Sequence, residues 1–279
     1  MDFYLPISIF FIYLLFSNIY RLSLLIGGLQ KTTSLDYPGL LVCTVFTVGC
    51  NFRCPFCHNR FLVTMQNFKE SGERQLPEEE FFAFLKKRQG LLDGVCVTGG
   101  EPTLHLDLPE FLKKIKDLGY RVKLDTNGTN PKMLAKLLER DLVNYVAMDL
   151  KTFLDGYLSV VLSSRTSASR DPGSSKYDQA IRSSISLILK SEVAFEFRTT
   201  IVPGLHDQKS LLKLAEDLKQ VARETATQIN QVPWYLQNFQ PQNCLNPLFN
   251  NKAGFSEAEL LGLIKAIKPH VPQIKLRSC

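Results

Sequence analysis

The sequence predicts an α/β fold in which repeated βα units build a parallel sheet. From about residue 41 onward, short β-branched or apolar runs alternate with amphipathic helical stretches, and six such units can be counted. The 279 residues, 45% of them hydrophobic, can bury one large core, and a single α/β barrel commonly has about this size. We therefore expect one domain with its strands at the centre.

Turn and cap residues set the expected limits of each element. The predicted strands cover residues 41–47, 94–98, 121–125, 145–149, 194–202 and 234–239. The predicted helices cover residues 77–89, 108–118, 130–140, 177–190 and 207–222, and a last helix is opened by a capping box of Ser256 and Glu259. A short strand at 273–277 could close the sheet. The serine-rich segment 163–175 lacks periodicity, which predicts a mobile loop.

Charge and cysteine content exclude several classes of protein. The net charge is +6, but Lys and Arg are scattered among acids, so we expect no nucleic-acid partner. The seven cysteines are odd in number and three of them fall within eight residues. This pattern does not suit a secreted disulfide scaffold and favours a reducing, cytoplasmic setting.

Residues 1–26 form an apolar extension that we expect to lie outside the catalytic domain of residues 27–279. The apolar run 5–16 is too short for a bilayer span, and a signal peptide's basic start and cleavage site are missing. Three interpretations remain open: a weak membrane anchor, a helix packed on the domain, or a start codon assigned too far upstream.

The strongest chemical signal is a cysteine loop directly after the first predicted strand. Cys50, Cys54 and Cys57 have spacings that let one loop wrap three thiolates around a metal centre. Zinc would need a fourth ligand, and His58 directly abuts Cys57, too close to complete a relaxed tetrahedron. Most [4Fe-4S] sites take four cysteines, so a set of three leaves one iron open for an outside ligand.

This loop, with Phe56 before its last cysteine, resembles the signature of the radical SAM enzymes. The segments Leu29-Gln30-Lys31-Thr32, Asp36-Tyr37-Pro38-Gly39 and His58-Asn59 resemble the anaerobic ribonucleotide reductase activating proteins, relatives of the pyruvate formate-lyase activating enzyme. The resemblance implies a partial (β/α)6 TIM-like barrel with its active site at the C-terminal ends of the strands. Asn238-Phe239-Gln240-Pro241 departs from the latter enzyme, which has a His there, and favours the former subgroup.

The resemblance also implies a reaction and partners. A [4Fe-4S] cluster on the three cysteines would bind S-adenosyl-L-methionine at its open iron and cleave it to a 5′-deoxyadenosyl radical. An activating enzyme uses that radical to install a glycyl radical on its partner, here an anaerobic ribonucleotide reductase. A low-potential electron donor such as flavodoxin or ferredoxin would reduce the cluster.

Polar motifs at later strand ends are the remaining candidate site residues. Gly99 and Gly100 let backbone approach a ligand, and Glu101 can accept from an ammonium group. By resemblance this motif binds the methionine amino group. The resemblance also assigns S-adenosyl-L-methionine contacts to a second group of residues, which lie at the ends of later strands. It further assigns a bound monovalent cation to the Asp125-Thr126 and Met148-Asp149 pairs. That group consists of Asp125, Thr126, Asn127, Asp149, Lys151 and Arg198.

Strand alternation gives an independent argument for part of this group. Asp149 and Lys151 share one strand face, and Arg198 lies on the polar face of its strand, opposite the aromatic residues. The outer face of a barrel strand is covered by helices, so the polar face should point into the lumen. An internal salt bridge is the alternative for both Lys151 and Arg198.

The remaining cysteines and histidines are not expected to take part in catalysis. Cys43 and Cys96 lie in apolar strands and should be core residues, whereas His105, His206 and His270 should be solvated. Two alternative functions remain: a radical enzyme with a small-molecule or nucleoside substrate, or a non-catalytic iron-sulfur or zinc protein. No second cysteine set accompanies the first, which favours a protein substrate over the first alternative.

Overall fold

The computed structural model describes residues 24–161 and 173–277 as one eight-stranded sheet flanked by helices. The strands are β1 Ile26–Thr33, β2 Val42–Thr47, β3 Gly94–Gly99, β4 Arg121–Thr126, β5 Tyr145–Asp149, β6 Ala194–Ile201, β7 Trp234–Asn238 and β8 Ile274–Leu276. Their order in the sheet is their order in the chain. Strand β1 is antiparallel to β2, and each later strand is parallel to the one before it.

The α-helices cover the faces and ends of this sheet. They are α1 Met65–Ser71, α2 Glu78–Lys87, α3 Leu108–Asp117, α4 Pro131–Glu139, α5 Tyr157–Val161, α6 Gly173–Lys190, α7 Gln208–Glu224 and α8 Glu257–Ile267. Strands β1 and β8 are not paired with each other, so the barrel is open. The partial barrel expected from the sequence is therefore confirmed. Within residues 24–161 and 173–277, no helix has the length and apolarity needed to cross a membrane.

The core lies between the sheet and its helices. In α3, Leu108, Phe111, Leu112 and Ile115 are buried at the spacing of one helical face. Strand β2 is buried along almost its whole length, as expected for a parallel strand covered on both faces. The largest fully buried side chain, Trp234, donates its indole N–H to Thr199 Oγ1 at 3.0 Å. These contacts hold the strands and the helices together in one core.

Local signals predicted most helix limits, whereas three elements were missed. The capping box of Ser256 and Glu259 opens α8, and Asp207 caps α7. The missed elements are β1, α1 and the short helix α5. The β1 sequence contains two glycines and several polar residues, so it lacks the pattern of a buried strand. Leu24 and Ile26 are buried in the core, so the domain begins before residue 27.

Two expectations concern segments that are wholly or partly outside the described residues. Residues 1–23, which contain the apolar run, are outside the described residues, as are residues 163–172 of the serine-rich segment. The loop prediction is wrong for residues 173–175, because α6 already begins at Gly173.

Candidate active site

A cavity of about 210 Å³ opens at the carboxyl ends of the parallel strands. Loops after β2 to β5 and the ends of β6 and β7 form its wall, the position at which α/β barrels carry their active sites. The lining residues are Cys50, Phe52, Cys54, Phe56, Cys57, His58, Asn59, Thr98, Gly99, Gly100, Glu101, Asp125, Thr126, Asn127, Asp149, Lys151, Thr200 and Gln237. The three motif cysteines thus share one cavity with the polar strand ends.

Backbone hydrogen bonds hold the cysteine loop in place at both ends. The chain leaves β2 through Gly49, whose φ of +108° favours glycine. The amide of Gly49 donates to Leu62 O at 2.8 Å and that of Cys50 to Val63 O at 3.0 Å. Further along, the amide of Cys57 donates to Cys54 O at 3.0 Å. These hydrogen bonds give the loop a defined path.

The three thiols match the donor set that an iron-sulfur cluster requires. Six cysteines lie in the described part of the chain, all as free thiols, and only the motif cysteines line the cavity. Burial raises the pKa of Cys50 to about 11 and that of Cys54 to about 12, so both thiols are protonated at neutral pH. No group of three His, Cys, Asp or Glu in this part of the chain surrounds a single-ion position. A cluster places its thiolates on different irons, so it does not need such convergence.

Gly99, the last residue of β3, and Gly100 pack against the backbone at the start of the cysteine loop. A Cβ atom on Gly99 would overlap the Thr47 backbone, and one on Gly100 would overlap the Gly49 backbone. The amide of Gly100 donates to Thr47 O at 2.8 Å, and that of Glu101 donates to Gly49 O at 2.7 Å. The close backbone approach expected of this motif is thus to the neighbouring loop. It aligns the ends of β2 and β3.

Glu101 is buried with four hydrogen-bond donors directed at its carboxylate. Thr126 Oγ1 donates to Oε1 at 2.7 Å, and the amide of Asn127 donates to Oε2 at 2.6 Å. The amide and hydroxyl of Thr103 also donate to Oε1. Burial raises the pKa of Glu101, although these hydrogen bonds oppose the rise. Glu101 ties β3 to β4, and Oε2 retains acceptor capacity for a ligand.

Charged side chains from β4, β5 and β6 form a buried network beside the cavity. Arg198 donates from Nε to Asp149 Oδ1 at 2.9 Å and from Nη1 to Asp125 Oδ2 at 3.1 Å. Lys151 donates to Asp149 Oδ2 at 3.0 Å, and Lys123 pairs with Asp125. Both internal salt bridges considered from the sequence are therefore present. A monovalent cation at these carboxylates would have to compete with three side-chain cations.

The ion pairs determine the charge states in this network. Burial alone would raise the pKa of Asp149, but Arg198 and Lys151 outweigh it, and the pKa lies below its usual range. Arg198 and Lys123 lower the pKa of Asp125 in the same way. Asp149 in turn raises the pKa of Lys151 against the effect of burial. Asp125, Asp149 and Lys151 are therefore charged at neutral pH.

Asn127 joins the cysteine loop to the end of β4. Its side-chain amide donates to Asn51 Oδ1 at 2.9 Å, and Asn51 donates onward to Thr129 Oγ1 at 2.9 Å. Because Asn51 directly follows Cys50, this pair sets the distance between the thiols and the β4 loop. Phe56 is buried in the same loop and packs edge-on against His206, with 6.4 Å between ring centroids.

The structure brings all but one of the predicted site residues to the cavity. The exception is Arg198, which is not part of the cavity lining and contacts Asp125 and Asp149. Thr200 lies two residues further along the same strand and does line the cavity. The strand alternation that predicts a lumen-facing Arg198 predicts the same for Thr200, whereas the contribution of Gln237 carried no local signal.

The expectation of solvated histidines is wrong for two of the three. His105 and His206 are 4% and 3% exposed. His206 Nδ1 accepts from the Val202 amide at 3.0 Å, which leaves Nε2–H to donate to Lys151 O at 2.7 Å. Burial lowers the pKa of His206, so the ring is neutral and fixes the backbone at Lys151. Cys43 and Cys96 are fully buried, as expected.

The amino-acid sequence is similar to those of proteins that carry a provisional functional name. A Methanocaldococcus jannaschii protein, provisionally named a glycyl-radical enzyme activating enzyme, is 29% identical over 255 residues, which cover 91% of this chain and 96% of the relative. A second protein of that organism with the same provisional name is 29% identical over 63% of this chain and 62% of its own length.

Solved structures show a similar fold. Streptococcus suis SuiB bound to its precursor peptide SuiA has a TM-score of 0.54 at 14% identity, with 82% of this chain and 47% of SuiB covered, so this chain spans about half of SuiB. The model of the radical SAM superfamily matches residues 44–219, which is more than half of the chain. The chain therefore belongs to the radical SAM superfamily.

Proposed function

We propose that this protein is an activating enzyme that installs a glycyl radical on an anaerobic ribonucleotide reductase. Membership of the superfamily implies a [4Fe-4S] cluster and S-adenosyl-L-methionine as cofactors. The observation that carries the proposal is the shared cavity of three thiols and polar strand ends. The provisional name of a relative that matches over nearly its whole length supports the choice of substrate class.

In this proposal, Cys50, Cys54 and Cys57 hold the cluster. When bound, the reduced cluster supplies the electron that cleaves S-adenosyl-L-methionine to a 5′-deoxyadenosyl radical. The buried position of Cys54 beside Phe56 keeps water away from this part of the site. The spare acceptor capacity of Glu101 Oε2 suits the methionine ammonium group.

The remaining predicted residues orient the ligand or the residues that touch it. Lys151 and Asp149 present one cation and one carboxylate at the cavity wall. We assign Arg198 a positioning role through Asp149 and Asp125, because it contacts both and does not line the cavity. Thr126 and Asn127 complete the wall next to Glu101.

The first test measures 5′-deoxyadenosine after anaerobic iron-sulfur reconstitution and dithionite reduction. We expect product from the wild type and from Cys43→Ala, whose thiol is buried away from the cavity, and none from Cys54→Ala. A wild type that holds a full cluster but forms no product would exclude the proposed chemistry. Equal product from Cys54→Ala and Cys43→Ala would exclude the ligand assignment.

The second test addresses the partner. The reduced enzyme is mixed separately with an anaerobic ribonucleotide reductase and with pyruvate formate-lyase, and the glycyl radical is measured by electron paramagnetic resonance. We expect the signal with the reductase. A signal only with pyruvate formate-lyase would reassign the partner. Turnover of S-adenosyl-L-methionine without a signal from either partner would favour a small-molecule or nucleoside substrate.

A further inference from the structure

The loop after β7, residues 240–250, packs against the half of the cysteine loop that contains Cys54 and Cys57. The amide of Leu245 donates to Cys57 O at 3.0 Å, and the amide of Asn246 donates to Pro55 O at 2.9 Å. His58 Nε2 donates to Gln240 O at 2.7 Å. Three hydrogen bonds therefore join two segments that are far apart in the chain.

One side chain closes the turn that presents these amides. Asn250 Oδ1 accepts from the Cys244 amide at 2.8 Å, and the Asn250 amide donates to Pro247 O at 3.0 Å. Before this turn, Asn243 has a φ of +53°, a conformation uncommon for a residue other than glycine. The Asn250 side chain therefore ties the start of this turn to its end.

Apolar packing anchors the same loop on its inner side. Cys244 is fully buried, and Phe249 is 8% exposed. Phe249 lies edge-on to Phe239, with 6.3 Å between ring centroids, and Phe239 lies 6.0 Å from the ring of His58. Packing thus fixes where the loop lies, and the Asn250 hydrogen bond fixes how its amides point.

We infer that Asn250 is a positioning residue, which holds Cys244 and thereby sets the amides of Leu245 and Asn246 against the cysteine loop. This inference rests on the proposed function, in which Cys54 and Cys57 are cluster ligands. A loop whose carbonyls are pinned needs less rearrangement to keep its thiolates on iron. Without Asn250, the two carbonyls would lose aligned donors, and Cys54 and Cys57 would release iron more readily.

The test compares Asn250→Ala with Asn251→Ala, a matched change at the exposed neighbouring residue. Each protein is reconstituted anaerobically, and loss of cluster absorbance is followed in excess chelator. One hydrogen bond changes an equilibrium about fivefold, so we expect iron loss about five times faster for Asn250→Ala. Asn251→Ala should match the wild type. Asn250→Asp should retain most of the wild-type lifetime, because a carboxylate oxygen also accepts from the Cys244 amide.

Amide hydrogen exchange of the cluster-free proteins supplies a second measurement. Exchange at residues 244–246 should rise in Asn250→Ala and stay unchanged in Asn251→Ala. If Asn250→Ala does not fold, Asn246→Ala replaces it, because this change removes the acceptor of the Leu248 amide in the same turn. The expected effects are the same.

The outcomes separate the inference from the proposed function. A wild type that retains its cluster, together with equal iron loss and equal exchange in Asn250→Ala and Asn251→Ala, would overturn the inference alone. A wild type that takes up no cluster would overturn both. Faster exchange with unchanged iron loss would show that the loop does not act on the cluster, and it would also overturn the inference.

Discussion

Replacing Arg198 with methionine removes the cation that two partly buried carboxylates share. The Arg198 side chain is 13% exposed and lies 2.9 Å from Asp149 and 3.1 Å from Asp125. Removing one partner of a buried ion pair costs about 3–5 kcal/mol. Lys151 and Lys123 still pair with the two carboxylates, so we expect the free energy of unfolding to fall by about 3 kcal/mol at neutral pH.

The difference in stability between the wild type and Arg198→Met should depend on pH. In the wild type the pKa of Asp149 is lowered because Arg198 and Lys151 outweigh burial, so this stabilisation is present above the unfolded pKa of about 4. It is lost as the pH falls through the folded-state pKa. Without Arg198, burial is less well offset and the pKa of Asp149 rises. The stability gap between wild type and variant should therefore narrow as the pH falls below about 4 toward the folded-state pKa of Asp149.

The assay is urea denaturation of the cluster-free protein, followed by circular dichroism at several pH values. The control is Arg182→Met, which breaks a more exposed pair with Glu224 and should cost at most about 1 kcal/mol. Equal losses in Arg198→Met and Arg182→Met, or a gap that does not change with pH, would refute the role assigned to the network. Arg198→Lys should lose an intermediate amount, because lysine lacks the fork that spans both carboxylates.

Three further substitutions test the strand ends, each by urea denaturation of the cluster-free protein. Gly100→Ala should lower the free energy of unfolding by more than about 2 kcal/mol, because its Cβ would overlap the Gly49 backbone. The control Gly262→Ala, where a Cβ meets nothing, should be neutral or slightly stabilising. Equal stabilities of the two variants would contradict the close packing at Gly100. Glu101→Gln places an amide N–H₂ against hydrogen-bond donors and should lower the free energy of unfolding by about 1–3 kcal/mol. An unchanged stability would mean that these buried donors do not need a carboxylate. Burial lowers the pKa of His206, so the wild type should lose stability as the pH falls below the unfolded pKa of about 6.5. If the stability of His206→Asn falls with pH as steeply as that of the wild type, His206 is not the cause of this pH dependence.

Patterns that lie within a few residues predicted much of this molecule. The apolar spacing of α3 and the capping box of α8 are complete within one helix, and both appear in the structure. The cysteine motif depends equally on local spacing, so the sequence alone predicts that its three thiols share one loop. The same holds for the shared face of Asp149 and Lys151, because alternation along a strand is a property of the backbone.

The sequence by itself therefore determined the class of fold, the order of its elements and the loop that carries the thiols. Only the tertiary structure decided which distant groups meet, because strand register and loop packing are set by contacts across the whole sheet. Register pairs Asp149 with Arg198, and the resulting ion pairs leave Arg198 outside the cavity wall. The approach of Asn246 to Pro55 likewise has no local signal, since it joins the loops after β2 and β7, two strands that are not neighbours in the sheet.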